Sequence, residues 1–295
     1  MSKHKNQHYI PQTYLKAWVD PETPEKYEPY VWRVDKEEHE PKRKAPSNIF
    51  HENNMYTIYD ENGNRDLRLE HGLSSLESLF TDLREETLSE KKKLTPNEYF
   101  LMCAFIAAMY ARTKVQRNQI REMWNPALEK MQQWKKHLEN ASEEEIENLK
   151  KMPRLGPQKE GLSIKQVEKL VAEPIKEMLE TMISSLAPML AKLDCIIFTT
   201  NHEIGFLTSD APCVWSDPEA YKRPPFYQAP ALMWESIEIT FPISPNLCVL
   251  LNRQSLNGYR PANKFQLSEI NRRTIRRCGE YYVSNKENID KSWLN

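Results

Sequence analysis

Apolar residues at Leu69, Leu73, Leu76, Phe80 and Leu83 are spaced 4, 3, 4 and 3 apart, the stripe of an amphipathic helix. The pattern predicts a helix over 66–90, with Asp66, Glu70, Glu77 and Arg84 along one edge of the stripe. A helix edge is where a carboxylate can be half-buried and still reach a cleft. Thr95-Pro96 with Glu98 three residues after the threonine reads as a capping box that opens the next helix. That helix is expected over 97–124. From Tyr99 to Ala111 it is apolar all round, so it should be central and covered on several sides. It then turns basic at Arg112, Lys114, Arg117 and Arg121, and Asn125-Pro126 should kink or end it. Residues 127–152 read as a solvated helix and 153–161 as a flexible loop. Residues 163–192 read as a further helix interrupted near Pro174 and Pro188.

Both ends of the chain carry strand patterns instead. Tyr30–Val34 and 54–59 are β-branched and aromatic, and the charged stretch 35–46 between them reads as turn-like. In the last third, 195–200 and 205–208 read as a hairpin turned by Asn201-His202-Glu203. Ser236–Phe241 and 247–251 flank a tight turn, Leu267–Arg277 is a helix, and 281–283 is a last strand. Strands at both ends and helices between predict an α+β fold: an antiparallel sheet built from N- and C-terminal strands, packed against a central bundle of long helices. Residues 1–295 read as one domain, with 125–192 a helical, partly solvated insertion.

Composition narrows the function classes. The chain has 295 residues, 39% hydrophobic and 28% charged, with a net charge of −1, so no global basic field draws nucleic acid. Seven glycines, with no G-x-G-x-x-G and no G-x-x-x-x-G-K-[ST], argue against Gly-rich phosphate loops and leave no NAD or flavin fingerprint. There is no H-E-x-x-H and no Cys/His cluster for zinc. The five cysteines are scattered and never spaced C-x-x-C, which reads as reduced core residues and a cytoplasmic protein. No apolar run approaches the roughly 20 residues a membrane span needs.

The first residues are unusual for a chain end. His8-Tyr9-Ile10-Pro11-Gln12-Thr13-Tyr14-Leu15 and Trp18 combine polar groups with side chains too apolar to dangle, so this end should be tied down, with a short helix starting at Pro11. This block resembles the opening of the prokaryotic family DUF4238. So do Leu69-Glu70 with Glu77, Phe105-Ile106 leading to Arg112-Thr113, Phe206-Leu207-Thr208-Ser209-Asp210-Ala211-Pro212, the Phe241–Pro245 turn, and Asn271. The blocks span nearly the whole chain. One departure is Ala211, where the family often has a polar residue such as Asn, which removes one hydrogen-bonding group. The resemblance implies a common site geometry and a link to anti-phage defence or toxicity, with a protein partner from a defence operon.

The polar groups set beside apolar ones are His8, Gln12, Tyr14, Glu70, Glu77, Arg112, Ser209 and Asp210. Converging, they would suit a metal-dependent nuclease acting on RNA or DNA. Glu70 and Asp210 would hold Mg²⁺ or Mn²⁺, His8 would act as base or ligand, and Arg112 would clamp a phosphate. Lys114, Arg117, Arg121, Arg272, Arg273 and Arg276, with Lys42-Arg43-Lys44 and Arg277, would supply backbone contacts to nucleic acid. The competing reading is a non-catalytic binding or sensing module. In it His8 caps a helix, Arg112 forms a structural ion pair, Asp210 makes an Asx-type turn and the basic groups are solvated faces. A third, from His8, Tyr14 and Glu70, is a nicotinamide-nucleotide transferase or glycohydrolase.

Overall fold

The computed structural model describes residues 6–59, 62–151 and 161–294. The chain opens with β1 (Asn6–His8), α1 (Gln12–Leu15), β2 (Val31–Asp35), β3 (Pro41–Lys44), β4 (His51–Asn53), β5 (Ile58–Tyr59) and β6 (Arg65–Asp66). Pro11 is extended and stands at the N-cap, so α1 begins at Gln12, one residue after the expected start. The stretch 35–46 is a turn followed by a strand, because Pro41–Lys44 pairs antiparallel with β2. Only β5 remains of the strand expected over 54–59.

The amphipathic stripe forms α2 (Arg68–Leu83), which runs on into a π turn at Arg84–Leu88. The capping box opens α3 (Pro96–Ala111) as expected, with both reciprocal bonds made. The helix does not continue to residue 124. Arg112 is the C-cap, its N–H still bonded to Ala108 O, and Thr113 is extended and accepts the Gln116 N–H, starting α4 (Lys114–Asn140). Pro126 lies inside α4 without ending it. Then come α5 (Glu143–Lys151), α6 (Ile164–Ala172) and α7 (Pro174–Leu190); Pro174 opens α7, and Pro188 is accommodated inside it. The expected loop at 153–161 falls, except for Gly161, outside the described residues.

The last third holds β7 (Asp194–Thr199), β8 (Thr208–Ser209), β9 (Val214–Ser216), β10 (Glu238–Ser244), β11 (Leu247–Asn252), β12 (Gly258–Pro261), α8 (Lys264–Arg277) and β13 (Tyr281–Ser284). The fold is α+β. The N- and C-terminal strands meet in a four-stranded antiparallel sheet ordered β3-β2-β13-β8. A five-stranded sheet, β12-β7-β11-β10-β9, comes wholly from the last third, with β12 parallel to β7. The expected hairpin of 195–200 with 205–208 does not form. β7 pairs with β11 and β12, while β8 crosses to the other sheet and pairs with β13.

β7 is apolar without alternation because both of its faces are covered. Cys195 and Ile197 face one core with α2, α3 and α7; Ile196 and Phe198 face a second core with α8, Phe206 and Tyr282. In the first core the Phe80 and Phe105 rings stack at 3.7 Å, with Phe241 edge-on to both. The N-terminal block is latched onto this core. Tyr14 Oη donates to Pro242 O at 2.7 Å and meets Thr208 Oγ1 at 2.7 Å, and Trp18 Nε1 donates to Phe206 O at 2.8 Å. Arg84, on the π turn, donates to the carbonyls of Thr13 and Tyr14 and so caps the end of α1.

Candidate functional site

The amphipathic edge of α2 and the N-terminal block close on one cavity of about 410 Å³. β1 brings His8 and Gln7, held by antiparallel pairing with β4. α1 brings Gln12, α2 brings Glu70 and Glu77, and Arg112 arrives from the break between α3 and α4. Five of the eight expected site residues therefore share the cavity: His8, Gln12, Glu70, Glu77 and Arg112.

Glu70 and Glu77 are seven residues apart, about 10 Å along the helix axis. Each is pinned through one oxygen. Glu77 Oε1 accepts Arg112 Nη1 at 2.6 Å, and Glu70 Oε1 accepts Gln7 Nε2 at 2.6 Å and Arg65 Nη2 at 2.8 Å. No partner among the described residues engages Oε2 of either. The Arg112 side chain is 1% exposed against 24% for Glu77, so a buried guanidinium is paired with a more open carboxylate. Arg112 is therefore placed to orient Glu77 rather than to clamp a phosphate directly.

His8 Nε2 lies 3.2 Å from Ser47 O and 3.4 Å from Gln12 Nε2. One nitrogen cannot both donate and accept, so in the tautomer that donates to Ser47 the Nδ1 lone pair is the basic one. Burial, with His51 and Arg112 adding to it, holds the His8 pKa below its usual value against the opposing pull of the Ser47 bond. The neutral imidazole is thus the dominant form near pH 7.

Tyr14, Ser209 and Asp210 are not brought to this cavity. The Tyr14 hydroxyl is spent in the core latch, and burial raises its pKa well above the usual value. Ser209 Oγ accepts the Ala211 N–H at 3.1 Å. Asp210 accepts three backbone N–H groups, from Gly279 (2.7 Å), Glu280 (2.7 Å) and Tyr281 (3.2 Å). It is a buried clamp on the turn between α8 and β13. The metal pair Glu70–Asp210 therefore does not form, and among the described residues no three His, Cys, Asp or Glu side chains are grouped to hold a metal ion.

The cations read as nucleic-acid contacts are mostly engaged. Arg117 forms a two-armed pair with Glu52, and Lys114 lies 3.6 Å from Glu52 and 3.9 Å from Glu280. Arg121 caps α6 through the carbonyls of Val171 and Ala172. Arg272 pairs with Glu269, and Arg273 with Glu269 and Glu238. Lys42 meets Glu38 and Glu40, and the Arg43 guanidinium lies over Trp32 and Tyr30. Arg276 is exposed, with no ion pair among the described residues.

The cavity also holds residues that sequence reasoning passed over: Gln7, Lys16, Tyr56 and His71. His71 follows Glu70 in sequence but lies about 100° round the helix from it, off the edge that carries the carboxylates. Gln7 and Tyr56 carry no local signal; their bonds join segments some fifty positions apart, Gln7 Oε1 accepting the Tyr56 N–H at 2.5 Å.

Among the described residues no helix is long and apolar enough to cross a membrane. No curated protein and no solved structure matches the chain. Residues 6–288, nearly the whole chain, match the profile of a family described as protein of unknown function, DUF4238, and the protein belongs to that family.

Proposed function

We propose that the cavity between the N-terminal block and α2 is a nuclease centre and that the protein is an effector of prokaryotic defence. The observation that carries the reading is that two groups line one open cavity. His8 is kept neutral by burial, and Glu77 has one oxygen fixed by the buried Arg112 and the other unengaged. A neutral imidazole can take the proton of an attacking hydroxyl or water, and a fixed carboxylate can orient that nucleophile. Lys16 in the lining can offset phosphate charge. The defence setting comes from the family resemblance, and no step is routed through a metal, because the residues assigned to one lie in separate sites.

The test is cleavage of end-labelled RNA, single-stranded DNA and duplex DNA by the full chain, in Mg²⁺, in Mn²⁺ and in EDTA, with wild type and His8→Gln. Glu77→Gln is a poor probe because it strands a buried guanidinium. The expected result is cleavage of at least one polymer, slowed roughly 100-fold or more in His8→Gln at a temperature where both proteins are folded. No cleavage under any condition, or equal rates for the two proteins, overturns the reading.

A second reading, a binding or sensing module without catalysis, is favoured by one observation. Gln7, Thr57, Arg65 and Glu70 bond one another in a closed network that ties β1 to α2. Under that reading His8→Gln changes stability and nothing else.

A further inference from the structure

A second cavity, of about 340 Å³, lies on the other side of the α3–α4 break. The Thr-Ser-Asp-x-Pro block, unused by the first site, builds part of its wall through Ala211, while Asp210 pins the turn that follows Arg277. Its chemistry differs from that of the first cavity. Tyr110 and Trp215 form an aromatic wall, their rings stacked at 5.1 Å and 29°. Gln116 and Gln119, one turn apart on α4, and Arg277, at the end of α8, supply the polar groups. Among the described residues no carboxylate lines this cavity. Among the described residues the Tyr110 hydroxyl, both glutamine amides and the Arg277 guanidinium have no hydrogen-bond or ion-pair partner, whereas polar groups of the first cavity largely bond one another.

We infer that this cavity binds a purine mononucleotide. Each part of such a ligand finds a counterpart. Aromatic side chains offer a surface to a base, a glutamine amide can pair with the donor–acceptor edge of a purine, and an unpaired guanidinium suits a phosphate. The absence of carboxylates removes the repulsion an anionic ligand would meet. The volume lies at the lower end of the roughly 300–1,000 Å³ usual for small-molecule sites, room for one nucleotide rather than a chain of them. This site is independent of the nuclease reading.

The test is calorimetric titration of the full chain with AMP, GMP, CMP, ribose 5-phosphate and a short oligoadenylate. The variants are Arg277→Gln, which is exposed and leaves the core alone, and Tyr110→Phe, which keeps the ring and removes only the hydroxyl. Saturable binding of AMP or GMP is expected, weakened roughly tenfold in Arg277→Gln by loss of the charge-assisted phosphate contact. Ribose 5-phosphate and CMP should bind at least tenfold more weakly than the better purine nucleotide. The inference is overturned by no saturation with AMP or GMP up to about 5 mM. It is overturned equally by oligoadenylate binding without AMP binding, by purine-independent binding, or by wild-type affinity in both variants.

Discussion

Asp210 was expected to hold a metal, and its surroundings assign it a different task that can be measured. Asp210→Asn keeps the shape of the side chain and converts one acceptor oxygen into an NH₂. Oδ1 serves Gly279 and Oδ2 serves Glu280 and Tyr281, so the amide can satisfy one or two of the three N–H groups and must face an NH₂ toward the rest. The side chain is 3% exposed, so water does not replace the lost bonds. A hydrogen bond to a charged group contributes ~1.5–3 kcal/mol, which puts the loss of one or two at about 2–6 kcal/mol. Burial, which pushes the Asp210 carboxyl above its usual value, works against the native charge and places the loss toward the lower end of that range. Against a usual total of roughly 5–15 kcal/mol this is a large fraction. Urea unfolding with matched m-values should show it as a lower midpoint. The proposed nuclease activity, at a temperature where both proteins are folded, should be unchanged, because Asp210 does not line the first cavity. A stability within about 0.5 kcal/mol of wild type would refute the clamp. A full-stability variant that had lost the proposed activity would return Asp210 to the proposed site.

Two further outcomes follow from the geometry. The folded pKa of His8 is below the 6.5 of an unperturbed histidine, so the unfolded chain binds the proton more readily. Its contribution to stability is therefore complete above about pH 6.5 and lost as pH falls through the lower folded value; His8→Gln should flatten the stability–pH curve in that acid window, and identical slopes for the two proteins would refute it. Gly205 has φ +70°, and a Cβ there would stand 2.0 Å from Pro245 O, so Gly205→Ala should lower stability by at least ~2 kcal/mol, read as a drop in melting temperature, whereas an unchanged melting temperature would mean the loop moves freely.

What the sequence alone determined is what is local. The Leu69–Leu83 stripe, the Thr95–Glu98 capping box and the unbroken apolarity of 99–111 rest on spacings of three, four and seven residues, which the helix itself enforces. They were enough to place Glu70 and Glu77 on one edge and to mark α3 as buried. The crowding of Tyr9, Ile10, Tyr14, Leu15 and Trp18 was enough to show that the N-terminus is tied down, and all five are buried.

Strand partners and side-chain partners lie far apart along the chain, and these only the tertiary structure decided. β7 and β8 are neighbours in sequence yet enter different sheets, because β7 has both faces covered between two cores while β8 closes the edge of β13. The ends of α3 and α4 turn on Thr113, whose hydroxyl caps a new helix where apolar periodicity saw a continuous one. Most of all, charge reads the same in sequence whether it is free or spent. Arg117 and Arg273 are neutralised by Glu52 and Glu238, and Asp210 by three backbone N–H groups, while Glu77 and His8 keep an unspent atom beside a cavity. Coulomb attraction and hydrogen bonding act across space, so which polar group is left over for chemistry is a property of the folded chain.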